Sequence, residues 1–396
     1  MLNQSRPAGK TRHSYDGVAL VCPYSTDYQR YSVDTAHWWI AAALRGVLGQ
    51  ANLTADDIDG LAVSSFTLFP DTAVGLTQHL GFSPRWLDHI PMGGASGIVA
   101  LRRAARAVQA GDADIVACVA GDTNHIDSFR QLLSSFSRFA MDASYPYGYG
   151  GPNASFALLT DHYMSAFGAT REDFGRLAVA QRANALKNPR AVMKKPLTME
   201  AYLGARPISD PIALFDCVMP VAGAEAFLVM SEEQATIRDL PYVKVTSAIE
   251  RHNAHPDDPI QLRGGWTLDI DEFWEMASCS PSDVDLLQTY DDYPVISMMQ
   301  IEDLGFCDKG EGPEFVRSRD LTIEGDFPHN TSGGQLSAGQ AGAAGGYLGL
   351  VEAIRQLLGT AGGTQVANAR RALVSGFGMI NYDRGLCSGA AMLEAA

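Results

Sequence analysis

The sequence predicts an α/β protein made of two related halves, and three observations predict it. Near-continuous apolar runs such as GLAVSSF at 60–66, IVACVA at 115–120 and ALVSGFGM at 372–379 suit strands buried on both faces, which lose the alternation of a half-exposed sheet. Glycine-rich turns feed amphipathic helices after residues 93 and 333, the strand-turn-helix-strand order of layered folds. That order occurs twice: IDGLAVSSF is matched by VDLLQTYDD, and VACVAGD by ALVSGFG, which indicates an internal duplication with helices sandwiched between sheets.

Taken in order, DTAHWWIAAALRGVL predicts a helix over Asp34 to Leu48 with Asp34 placed to cap it. The acidic turn LTADDID then leads into a strand from Gly60 to Phe66. Gly93, Gly94 and Gly97 open a helix from about Ile98 to Gln109, Gly111 stops it, and Ile115 to Ala120 forms a buried strand. Thr123 to Pro211 differs in character and is expected to be an insertion on the first half: the aromatic SYPYGYGGPN, helices over Ser155 to Phe167 and Arg171 to Leu186, then a long loop. Arg182, Lys187, Arg190, Lys194, Lys195 and Arg206 make this stretch basic. Such a run is either a solvated loop or a site for an anionic ligand such as a phosphorylated cofactor. In the second half, SPSDVDLLQTY supplies a strand, Tyr347 to Leu358 a helix and ARRALVSGFGM the last buried strand of the pattern. The halves are expected at 1–240, with the insertion 123–211, and 241–396.

Composition narrows the function classes. The chain has 396 residues, 46% of them hydrophobic, enough for a large core. Its 30 Lys and Arg against 45 Asp and Glu give a net charge of -15, which disfavours nucleic acid and anionic membranes as partners. The six cysteines, Cys22, Cys118, Cys217, Cys279, Cys307 and Cys387, show neither C-x-x-C pairing nor zinc-ligand spacing. They read as small buried hydrophobes of a protein in a reducing compartment. The basic N-terminal stretch MLNQSRPAGKTRHSYDG has no apolar run behind it. A soluble, cytoplasmic protein without a metal site is expected.

Four segments together resemble the thiolase superfamily: GGASGIVALRRAARAVQAGDADIVACVAGD, LFDCVMPVAGAEAFLVMS, TYDDYPVISMMQIEDLGFCDKGEGPEFV and HNTSGGQLSAGQAGAAGG. The likeness runs from about Tyr15 to the end and is strongest to the branch of sterol-carrier-protein-type thiolases and thiolase-like steroid side-chain aldolases. It implies the thiolase fold, a duplicated five-layer αβαβα arrangement, in a homodimer. It also implies an acyl-CoA thioester as substrate, no covalently bound cofactor, and a small partner with a zinc ribbon and an oligonucleotide-binding-type fold.

The departures from the family pattern carry the chemistry. Gly94, in Gly94-Ala95-Ser96-Gly97, stands where a thiolase has its nucleophilic cysteine. Tyr290-Asp291-Asp292-Tyr293 stands where the family has H-D-C-F, with Ile296 and Ser297 in place of its Asn-Glu pair. Gln340 replaces the histidine of G-H-P, and the late cysteine motif becomes Val374 to Gly378, with Cys387 beyond it. Thiolytic chemistry needs a cysteine and a second base, so a working thiolase is rejected. Retro-aldol cleavage of a 3-hydroxyacyl-CoA, which needs no acyl-enzyme, fits. A thiolase-type acyltransferase using another cysteine and a non-catalytic acyl-CoA-binding or scaffold subunit are the alternatives.

Tyr290 is the leading acid/base candidate; a free phenol titrates near ~10, so it needs an environment favouring phenolate or a hydrogen-bonded relay. Asp292 is either the base itself or the partner orienting Tyr290. If the segment is extended, Tyr290 and Asp292 share one face, and Asp291 and Tyr293 the other. Gln340 is expected to donate to a thioester oxygen. Substrate contacts are expected from Gly94 and Ser96 at a helix N-terminus, from Gly376 and Gly378 by backbone approach, and from His329 and Tyr147; Arg190, Lys194 and Lys195 are expected at the CoA phosphates. Loss of the cysteine side chain is expected to free volume beside Gly94. His125, Tyr145 and Tyr149 read as pocket or dimer-contact residues of the insertion. Each of these residues also has a structural reading, Tyr290 as a packed strand-end tyrosine and His329 as a loop histidine among them.

Overall fold

The computed structural model describes residues 14–125, 145–148, 151–381 and 384–396. Its strands are β1 (Val18–Ser25), β2 (Gly60–Ser64), β3 (Trp86–His89), β4 (Ile115–Asp122), β5 (Pro207–Ser209), β6 (Ile212–Ala213), β7 (Gly223–Ser231), β8 (Val243–His252), β9 (Leu286–Gln288), β10 (Arg371–Ile380) and β11 (Gly385–Ala395). Described helices of eight or more residues are α1 (Ala36–Ala51), α2 (Ala73–Leu80), α3 (Ser96–Ala110), α4 (Gly151–Phe167), α5 (Arg171–Ala185), α6 (Ile270–Ala277), α7 (Pro294–Asp303) and α8 (Gly345–Leu357).

Nine strands are joined in the order β3-β2-β4-β7-β1-β8-β11-β10-β9. The seam between β1 and β8 is thin, with only Ala19 facing Lys244 and Leu20 facing Val243. On either side of it the same scheme appears. β2 is parallel to β3 and β4, and β4-β7-β1 are antiparallel. β9 is parallel to β10, β10-β11-β8 are antiparallel, and a parallel bridge from Leu287 to His329 stands where β3 stands beside β2. The duplication read from the sequence is therefore a duplication of topology.

The central layer explains why both halves need glycine-rich turns. α3 and α8 pack on each other and each touches strands from both sides of the seam. Their N-terminal ends cross at backbone contact: a methyl group on Gly97 would overlap the Gly346 carbonyl oxygen, and one on Gly346 would meet the carbonyl of Gly93. α1 covers β1, β4 and β7 from outside, while α6 covers β8 on the far side. Helices, sheet, central helices, sheet and helices make the five layers of the thiolase fold. Buried Ile98, Leu101, Leu350, Val351 and Ile354 fill the centre.

One local expectation fails. Thr35, not Asp34, precedes α1, and no side chain caps the helix; instead the Asp34 N–H donates to Ser32 Oγ at 3.0 Å. Ser32 Oγ in turn donates to Asp34 Oδ2 at 3.3 Å, so the carboxylate is engaged with the chain before the helix and not with the helix N-terminus. No helix among the described residues is long and apolar enough to cross a membrane.

Because no side chain fits where α3 and α8 cross, Gly97→Ala is expected to lose about 1–3 kcal/mol of stability to overpacking, read as a lower urea midpoint with an unchanged slope.

Candidate functional site

A cavity of about 240 Å³ opens where the turn before α3, the segment after β9 and the glycine-rich loop before α8 meet. Phe66, Phe156, Val218, Val221, Phe377 and Met379 give it apolar walls, and Tyr290, Asp292 and Gln340 bring polar groups to it. Three candidates taken from separate sequence segments are thus assembled at one place.

Tyr290 is held from both its backbone groups. β9 ends at Gln288, and Gln300 on α7 accepts from the Tyr290 N–H at 3.1 Å and donates to its carbonyl at 2.7 Å. Ser375 Oγ on β10 donates to Gln300 Oε1 at 2.6 Å, tying this clamp to the sheet. The ring lies over Gly94, where a methyl group would overlap Tyr290 Cε2 and Cζ and the Phe377 carbonyl oxygen. The volume left by the missing cysteine side chain is therefore not free for substrate, as the sequence suggested; the tyrosine ring occupies it.

Asp292 faces the same cavity and accepts from Gln340 Nε2 at 3.0 Å and from the Tyr290 hydroxyl. Asp291 points the other way and accepts from the N–H groups of Gln335 at 2.9 Å and Leu336 at 3.2 Å. The expected alternation holds for these three. It breaks at Tyr293, which also lines the cavity, because Pro294 turns the chain into α7 there. Tyr293 stacks on Phe156 with ring centres 4.0 Å apart and donates to Asn153 Oδ1 at 2.5 Å.

The electrostatics assign the proton-accepting role. Burial, the Asp292 charge and the hydrogen bond to it push the Tyr290 phenol well above its usual range, with only the Gln340 bond working against them. The balance is against a standing phenolate. Burial pushes Asp292 up to about 7, the charge of Asp291 adds to this, and the bonds from Tyr290 and Gln340 offset part of it. A carboxylate poised near neutrality is a suitable general base. Gln340, whose amide holds the carboxylate and bonds Tyr290 as well, is engaged with the pair and not held ready for a thioester oxygen.

Other expected contacts fall elsewhere. Ser96 is fully buried, accepts from the Met92 N–H at 3.1 Å and donates to the Ile90 carbonyl at 3.0 Å, so it shapes the turn before α3 instead of touching a ligand. A methyl on Gly376 would meet Gly94 and Ala95, and one on Gly378 would overlap the Met92 carbonyl; these glycines let β10 press on that turn and do not line the cavity. His329 is wholly buried against Thr289 Oγ1 at 2.8 Å, and burial lowers it to about 3, so it is a neutral packing histidine. Tyr147 is 86% exposed and Tyr145 41%, and neither lines the cavity. His125 is exposed at the surface, and Tyr149 lies outside the described residues.

The basic run is divided by the fold. Arg182 is buried and donates to Ser337 Oγ at 2.8 Å and to the Lys195 carbonyl at 3.2 Å, and Lys187 pairs with Glu324. Arg190 lines a separate small gap with Glu225 and Arg355. Lys194 Nζ bonds the Pro189 carbonyl at 2.7 Å, and Lys195 is exposed.

Two further cavity residues lie within segments that carry the resemblance, away from its catalytic positions. Asp122, at the end of β4, receives Ser65 Oγ at 2.8 Å, the Thr67 N–H at 2.6 Å and the Ala343 N–H at 2.7 Å, joining loops of both halves. Cys217 is in the wall, but burial pushes its thiol up to about 12. Its Sγ faces Asn153 Oδ1 and the Ala213 carbonyl, neither of them a base, so a thiolate is disfavoured here.

The fold and this site define a thiolase-type protein whose nucleophile position is sealed by a tyrosine ring. The family model for the thiolase C-terminal domain-like proteins matches residues 271–386. The chain is 31% identical over 362 residues to the 17-hydroxy-3-oxo-4-pregnene-20-carboxyl-CoA lyase of Mycobacterium tuberculosis, covering 87% of this chain and 92% of that protein. It is 30% identical to a steroid side-chain-cleaving aldolase of Thermomonospora curvata, over 85% of this chain and 89% of the relative. The solved structure of an Ltp2-ChsH2(DUF35) aldolase superposes with a TM-score of 0.80 at 26% identity, covering 96% of this chain and 98% of that one. The chain belongs to the thiolase superfamily, in its branch of thiolase-like aldolases and lyases.

Gly94→Ala is expected to displace the Tyr290 ring and reduce turnover by about a hundredfold, the scale of a 1 Å misplacement. Gly94→Cys is expected to lose turnover as well and to gain no acyl adduct by mass spectrometry after incubation with acetyl-CoA.

Proposed function

We propose that this lyase cleaves a 3-hydroxyacyl-CoA by a retro-aldol reaction in which Asp292 is the base and Tyr290 the group that contacts the substrate hydroxyl. The supporting observation is the hydrogen-bonded Tyr290–Asp292–Gln340 set on an apolar cavity, with glycine at the position of a thiolase nucleophile. Tyr290 accepts the proton of the β-hydroxyl as its own proton passes to Asp292. The hydroxyl oxygen becomes the carbonyl of the leaving aldehyde or ketone, and the Cα–Cβ electrons pass to the thioester enolate. The proton stored on Asp292 returns through Tyr290 to Cα, which releases the shortened acyl-CoA and restores the site. The N-terminal end of α3, beside Gly94, favours the enolate oxygen through its dipole.

The aromatic and aliphatic walls suit a large apolar ring system on the acyl group, in keeping with the pregnene carboxyl-CoA named for one relative and the steroid side chain named for the other. Lys194 and Lys195 with Arg190 are proposed to meet the CoA phosphates outside the cavity. We further propose a homodimer, a small partner of the kind present in the Ltp2-ChsH2(DUF35) aldolase, no cofactor beyond the CoA of the substrate, and a cytoplasmic location.

The test is a panel of 3-hydroxyacyl-CoAs, 17-hydroxy-3-oxo-4-pregnene-20-carboxyl-CoA among them, incubated with the chain alone and with a zinc-ribbon partner, with released aldehyde or ketone as the readout. Asp292→Asn and Tyr290→Phe are each expected to lower kcat by about 10²–10⁴-fold. Since the base works as the carboxylate, the rate is expected to fall as the pH drops through about 7. Full activity in Asp292→Asn overturns the assignment, and a chain that binds acyl-CoA but cleaves none of the panel supports the non-catalytic subunit instead.

A further inference from the structure

The segment that carries the base holds a second buried carboxylate, bonded to different partners. Asp291 is 1% exposed and turned from the cavity. Its Oδ1 accepts from the Gln335 N–H at 2.9 Å and its Oδ2 from the Leu336 N–H at 3.2 Å. The space around it is closed: Gly334 adopts φ +57°, and a methyl group there would overlap Asp291 Oδ2. A carboxylate buried this deeply costs several kcal/mol unless its oxygens are bonded, and here both are bonded to one loop. That loop runs from Asn330, whose Oδ1 accepts from the Thr289 N–H at 2.8 Å, to Gln340, which holds Asp292.

We propose that Asp291 is a positioning residue for catalysis, which fastens the Tyr290–Asp292 segment to the loop bearing Gln340 and sets a second carboxylate behind the base. This rests on Asp292 being the base. The groups facing Asp292 from the elements around it are few. Tyr290, Asp291 and Tyr293 belong to its own segment, Cys217 comes from the chain before β7, and Gln340 comes from the glycine-rich loop. The phenols and the thiol are neutral near pH 7. Burial pushes Asp291 itself up to about 6, with the N–H groups of Gln335 and Leu336 working against it, so Asp291 ionises before Asp292 and its charge then makes Asp292 hold a proton more tightly. A base raised in this way is strong enough to pull on an alcohol proton and still ionised in part at neutrality.

The sign of the effect separates this role from mere scaffolding. Removing the charge with Asp291→Asn, which keeps the shape and one acceptor, is expected to move the Asp292 titration to lower pH. The titration is read without substrate by pH-difference infrared spectroscopy of the carboxylic acid band, assigned by its loss in Asp292→Asn. Turnover on the 3-hydroxyacyl-CoA substrate is expected to drop roughly ten- to a hundredfold, with the acid limb of kcat displaced in the same direction as the infrared titration. A role confined to folding lowers activity and leaves both titrations in place, and that result overturns the proposal. Should Asp291→Asn not fold by circular dichroism, Asp291→Ser removes the same charge and leaves room for a water on the freed N–H groups; the same displacement is expected. A displaced titration with no cleavage of any substrate keeps the coupling of Asp291 to Asp292 but overturns its role in catalysis together with the lyase reading of the site.

Discussion

The site depends on the contact between the Tyr290 ring and the bare backbone of Gly94. At this place the turn before α3 from the first half and the segment after β9 from the second half come within van der Waals reach, and any β-carbon at 94 collides with the ring. Exchange of a nucleophile for glycine is thus more than a loss. It makes room for a different group, and the phenol then closes off the position from which a thiolate would attack. Gly376 and Gly378 belong to the same arrangement, because they let β10 press against the turn and hold Gly94 in place beneath the ring.

Around this contact the polar groups divide into those that hold and those that react. Gln300 and Ser375 hold the Tyr290 backbone, Ser96 holds the turn, and Asp122 ties the loops of the two halves. Each is fully bonded within the protein, which suits a rigid frame. Asp292 alone of the paired carboxylates keeps a side toward the cavity. Low polarity then raises the proton affinity of both Tyr290 and Asp292, and their shared hydrogen bond separates them: the phenol keeps its proton and the carboxylate becomes the acceptor.

The duplicated α/β fold, its strand and helix order and the convergence of Tyr290, Asp292 and Gln340 were legible in the sequence. Buried strands and glycine-opened helices leave a strong local pattern, and residues 290–293 and 340 stand at matched positions of a known superfamily. His329, Ser96, Gly376 and Gly378 show the limit of such matching: each is at a functional position of the pattern yet packs away from the cavity. Their roles follow from which way a side chain turns and what it bonds, and motif order carries no record of that. Cys217 and Asp122 show the converse: both lie inside segments that carry the resemblance, yet neither is at a catalytic position of the pattern, and only the packing of distant segments brings them to the cavity.

By itself the sequence determined the architecture and the lack of a cysteine at residue 94, because apolar periodicity and the identity of a residue are local facts that no packing can alter. Only the tertiary structure decided which group takes the proton and where the tyrosine sits. Proton affinity depends on burial and on neighbouring charge, and the space beside Gly94 depends on a segment nearly two hundred residues away in the chain; both are properties of what surrounds a residue, not of the residue.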